Sequence, residues 1–257
     1  MEVAIITPTP MLSEFASRSK YHLTLATNIL EDPDYERFYK YRASMGDYIM
    51  LDNCAYELGA AISDLQLKMC IQAINPTAMF LPDVRFDSKT TLERVRTAIP
   101  IFKDMGVSLL AVPQGNNLKD VLYCYDELMK MDHIDGFGIY EEIGEVTGVG
   151  RRADFLKLLE DSGRVSETRV YHCLGMEEDV EQIKRLAAFP WVMGVDSAKP
   201  IVYGIHGITL GKKGPLVPYP HRPKDYFSHS DVQFRAAIHR NITQVQQWAA
   251  NPLANIW

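Results

Sequence analysis

The stretch AMFLPDVRFDSKTTLERVRTAIPIFKDMGVSLLAVPQG, residues 78–115, holds the pattern that decides the fold. It opens on an apolar run (78–82), continues with Leu92, Val95, Ile99 and Phe102 at three- and four-residue spacing, and closes on a second apolar run (107–113). Short, near-continuous apolar runs read as strands buried on both faces, and the spacing between them reads as a one-sided helix. Ser88 is placed to cap that helix and Gly106 to close it after Met105.

Outward from this unit the same alternation repeats. Further strand-like runs lie at 2–7, 22–26, 48–51, 135–140, 168–174 and 191–196, and Ser63 precedes a second helical pattern, DLQLKMCIQAI. Eight strands alternating with amphipathic helices predict a (β/α)8 TIM-like barrel, with an open doubly wound sheet as the alternative. No linker or low-complexity tract interrupts the chain, so one domain is expected over 1–257. It ends in a basic loop segment (199–229) and a closing helix (230–250) carrying Val232, Ala236, Ile242, Val245 and Trp248.

Composition narrows the function. With 257 residues, 47% hydrophobic and 23% charged, the chain has enough apolar material for a sizeable core, which excludes disorder and small disulfide scaffolds. A net charge of −6 argues against nonspecific coating of nucleic acid, yet 199–224 holds five Lys or Arg and no acid, leaving −11 for the rest. Cys54, Cys70, Cys124 and Cys173 are too dispersed for a structural zinc site and are expected as buried reduced thiols. No signal peptide or membrane-length apolar run is visible, so the expected location is the cytoplasm.

In a barrel of this kind the active site is built where the strands end. Those ends read Asp52-Asn53-Cys54-Ala55-Tyr56-Glu57, Pro82-Asp83, Pro113-Gln114-Gly115, Tyr140-Glu141-Glu142, Leu174-Gly175 and Asp196-Ser197. Several carboxylates around one pocket push their pKa values apart, so that one serves as nucleophile and another as acid or base. Displacement at the anomeric carbon of a sugar uses that division of labour. His172 and His206 read as core or surface residues, Glu141 and Glu142 have no assigned role, and GEVTGVGRR (144–152) reads as a loop rather than a phosphate cradle.

The ordered set DNCAYE (52–57), LPD (81–83), VPQG (112–115), LGM (174–176) and GVDS (194–197) resembles the tRNA-guanine transglycosylase superfamily. It is closer to the bacteriophage 7-deazaguanine DNA transglycosylases, over about 50–200. The resemblance implies that Asp196 is the nucleophile attacking C1′, and that Asp52 is the general acid/base. Tyr56 stacks on the base, Asp83 reads its Watson–Crick edge and Gln114 donates to O6. Gly175 presents its backbone to the base, and Asn53 and Gly115 line the same pocket. Two departures stand out: Asn53-Cys54-Ala55 replaces the family's Ser-Gly-Gly, and the C-terminal zinc site of the tRNA enzymes is missing.

That second departure favours DNA as the polymer, entered as a flipped or single-stranded guanosine, with Lys199, Lys212, Lys213, Arg222 and Lys224 on its phosphates and Tyr219, Tyr226 and Phe227 nearby. The co-substrate implied is a 7-deazaguanine base such as a preQ0-type precursor; no metal and no cofactor are expected. The alternatives are an RNA-acting enzyme of the tRNA type, a catalytically silent nucleic-acid-binding barrel, and an unrelated retaining glycosidase.

Overall fold

The computed structural model describes residues 1–176, 182–211, 220 and 222–250. Eight strands are present: β1 Glu2–Ile5, β2 Tyr21–Leu25, β3 Tyr48–Asp52, β4 Ala78–Phe80, β5 Ser108–Ala111, β6 Gly136–Tyr140, β7 Val170–Leu174 and β8 Gly194–Ser197. They form one parallel sheet in the order β1-β8-β7-β6-β5-β4-β3-β2, and with the helices that alternate with them they make a (β/α)8 TIM-like barrel. The eight apolar runs of the sequence are these eight strands. Among the described residues, no helix is long and apolar enough to cross a membrane.

The chain divides into two compact units, Leu23–His172 and Met1–His22 with Cys173–Trp257. In Leu23–His172, β3 pairs with β4, β4 with β5 and β5 with β6, all parallel. Their side chains are buried on both faces. Helices Asp64–Ile74, Ser88–Phe102 and Leu118–Met129 cover them through Leu67, Ile71, Leu92, Val95, Val121 and Leu128. Ser63 caps its helix as expected, in a reciprocal pair with Gln66. In the Ser88–Phe102 helix the cap is Asp87 rather than Ser88, and the helix ends at Phe102, with Gly106 (φ 72°) in the turn beyond.

In the other unit β1 pairs with β8, Ala4 opposite Asp196. The closing helix starts later than its sequence pattern, at Arg235, and runs to Ala250 with Ile238, Ile242, Val245 and Trp248 buried. Val232 lies before that helix and Ala236 is exposed, whereas Ile238 supplies the packing. Asn241, also buried, accepts from the Leu210 N–H at 2.7 Å and donates to the carbonyls of Ile208 at 2.9 Å and Pro200 at 3.2 Å.

Two stretches read as loops are partly helical. Within 144–152, Ile143–Thr147 forms a short helix ended by Gly148 at φ 73°. The segment 199–229 begins with a helix, Lys199–Ile205.

Candidate active site

The strand ends of Leu23–His172 hold a buried polar cluster. After β3, Cys54 turns the chain with φ 63° and ψ 22°, a left-handed conformation held by a residue that is not glycine. A non-glycine residue in that conformation carries a strain of about 1–2 kcal/mol. The turn presents Asn53, whose Oδ1 accepts from the Ala55 N–H at 2.8 Å while Nδ2 donates to the Leu81 carbonyl at 2.8 Å and to Asp83 Oδ1 at 2.9 Å.

Asp83, three residues past β4, receives a second amide on its other oxygen, from Gln114 Nε2 at 2.6 Å. Gln114 Oε1 in turn accepts from the Phe86 N–H at 3.0 Å, and because that group only donates, the amide nitrogen must face Asp83. Asn53, Asp83 and Gln114 are all buried. Burial raises the Asp83 pKa, against the two amides, which lower it. A carboxylate has about four acceptor positions, so with the two amides and the Asp83 backbone N–H acting on it some acceptor capacity is still left for a ligand. Gly115 has a packing reason to be small, since a Cβ there would lie 2.6 Å from the Val121 nitrogen.

Around this cluster stand aromatic and charged groups. Arg85 pairs with Glu142 at 2.9 Å, and its guanidinium lies over the rings of Tyr56 at 4.9 Å and Phe86 at 4.8 Å. The Tyr56 ring is 62% exposed, and Arg85 sits over it. Glu142 thereby acquires a definite partner. Arg85 and Phe86 were not singled out from the sequence; the signal available was a lone cation beside an aromatic, two residues after Asp83, with no periodicity to mark it.

Asp52 ends β3 and accepts from the Cys54 N–H at 3.1 Å. Asp52, Cys54 and Glu57 bring their ligand atoms within 4.8 Å of one another. They make a poor metal centre, because burial and the Asp52 charge push the Cys54 thiol up to about 12, and a thiol binds metal as thiolate.

In the other unit Asp196 of β8 is buried, and its Oδ1 accepts from the Gly175 N–H at 2.9 Å. Gly175 takes φ 71°, a conformation that glycine adopts without strain. Its amide therefore orients Asp196, where the resemblance had that backbone facing the base.

The candidate polymer-binding residues separate. Lys199 is 6% exposed and its backbone N–H is held by Ser197 Oγ at 3.0 Å, so it does not belong to an exposed basic surface. Tyr226 is buried too, its hydroxyl donating to the Ile6 carbonyl at 2.7 Å, and is a core residue instead of part of a DNA-facing surface. Arg222 and Lys224 are exposed. Lys212, Lys213 and Tyr219 lie outside the described residues. His172 is buried in β7 beside Phe80, and His206 is exposed.

The chain matches no known protein family, and no curated protein is similar to it at a significant level.

Proposed function

We propose that this chain is a base-exchange transglycosylase that replaces guanine in DNA with a 7-deazaguanine derivative. The observation that carries the reading is Asp83, a buried carboxylate held on both oxygens by the amides of Asn53 and Gln114. Its remaining lone pairs fit the N1–H and 2-amino donors on the Watson–Crick edge of guanine, and a buried charged acceptor rejects bases lacking those donors strongly.

The resemblance, and not the geometry, assigns the sugar chemistry to Asp196, whose Oδ1 accepts from the Gly175 N–H. An Asp196 oxygen forms a bond to C1′ as the C1′–N9 bond breaks, and guanine leaves with the electron pair and takes a proton at N9 from Asp52. The entering 7-deazaguanine returns a proton from N9 to Asp52, and its N9 displaces the Asp196 carboxylate. Two inversions give net retention. Within a duplex C1′ is out of reach, so the guanosine must be extruded or already single-stranded, at an unstacking cost of a few kcal/mol.

The test is base exchange. Purified protein is incubated with guanine-containing single-stranded DNA, duplex DNA or tRNA together with 7-cyano- or 7-aminomethyl-7-deazaguanine, and the nucleosides of each polymer are read by mass spectrometry. Incorporation into DNA that Asp196→Ala reduces at least a thousandfold is the expected result. Incorporation into tRNA alone transfers the reading to RNA, and incorporation into neither leaves a barrel without this activity.

A further inference from the structure

Tyr140 is the last residue of β6, beside β5. Its side chain is 8% exposed, and its hydroxyl oxygen is buried with no hydrogen-bond partner among the described residues. Leaving such a group unsatisfied costs about 1–3 kcal/mol, and buried polar atoms in folded proteins are almost always paired. The hydroxyl therefore has its hydrogen free to give to a ligand atom.

The surroundings specify which atom. The Tyr140 ring meets the Phe86 ring edge-on at 6.4 Å, and the Phe86 N–H is the group that fixes Gln114 against Asp83. The ionisable groups acting on the hydroxyl are Glu142, Arg85, Cys124 and Asp83; burial first and Glu142 second raise it above the usual tyrosine range, Arg85 opposing. At neutral pH it is therefore an O–H donor. β4, β5 and β6 are consecutive neighbours in the sheet and lead to Asp83, Gln114 and Tyr140 in turn. The edge of guanine runs in the matching order, 2-amino and N1–H, then O6. One N–H of Gln114 is committed to Asp83, and a carbonyl oxygen accepts two hydrogen bonds.

We propose that the Tyr140 hydroxyl donates to O6 of the bound base and makes this residue a determinant of specificity for 6-oxo purines. The inference rests on the reading of Asp83 as the guanine-binding carboxylate.

Calorimetric titration with guanine and with 6-thioguanine tests it, because the thio base keeps the donors for Asp83 and replaces O6 by a weak acceptor. Tyr140→Phe is expected to weaken guanine binding about tenfold, to leave 6-thioguanine nearly unaffected, and to keep the melting temperature of the free protein unchanged or raised. Guanine binding unchanged in Tyr140→Phe but lost in Asp83→Asn overturns the inference and spares the proposed function. Equal weakening of both bases overturns it too, assigning the hydroxyl to packing. Where Tyr140→Phe fails to fold, the unaltered chain decides: guanine binding no tighter than 6-thioguanine overturns the inference. No guanine binding by the unaltered chain overturns both readings.

Discussion

On the proposed function, Asp83 couples folding and base binding to pH in opposite directions. Its pKa is raised in the folded protein above the ordinary value of about 3.9, so the fold favours the protonated form. The sign follows from linkage: the stability associated with this group is fully present below the unfolded pKa and is lost as pH rises through the folded one. Base binding needs the carboxylate and so fails as pH falls through the same value. Denaturant unfolding across pH, comparing the unaltered chain with Asp83→Asn, should show the unaltered chain gaining relative stability toward acid, while guanine affinity declines over that range. That Asp83, Asn53 and Gln114 come together was legible in the sequence because all three follow strand ends, which a barrel brings to one face. The Tyr140 hydroxyl was not, since nothing in a sequence distinguishes a partnered phenol from an orphaned one. Lys199 and Tyr226 were misread for a related reason. A basic, aromatic stretch looks exposed, and only packing reveals that both are inside.

The strands were readable as elements because parallel strands buried on both faces leave unbroken apolar runs. Their boundaries and the short helices were less so. Lys199–Ile205 carries Pro200 and Gly204, which read as breakers; proline is tolerated in the first helical turn, and Gly204 is where Ile238 approaches, a Cβ there meeting Cγ1 at 2.4 Å. β6 offers the sharpest test of an element's geometry. A Cβ on Gly136 would lie 2.3 Å from the Val170 carbonyl oxygen, which belongs to backbone and cannot turn aside. Gly136→Ala should cost about 1–3 kcal/mol in denaturant unfolding and, by displacing the strand that ends in Tyr140, weaken base binding beyond what Tyr140→Phe does.

For the whole molecule, a net charge of −6 means that binding to a polyanion must come from local cations. Arg222 and Lys224 are the exposed, described cations of the basic stretch. If each contacts one phosphate, Arg222→Ala with Lys224→Ala should lower the slope of log affinity against log salt by about two, measured by fluorescence anisotropy on duplex DNA. An unchanged slope would remove both from the interface. The four cysteines have a different kind of consequence. All are buried, three of them within Leu23–His172 and Cys173 in the other unit, and burial pushes Cys54 and Cys70 up to about 12 and Cys124 to about 11. A thiol reagent meets no thiolate on the folded surface, so each alkylation event records an opening of the chain. The native cysteines thus form a built-in clock for local unfolding, with separate hands for the two units.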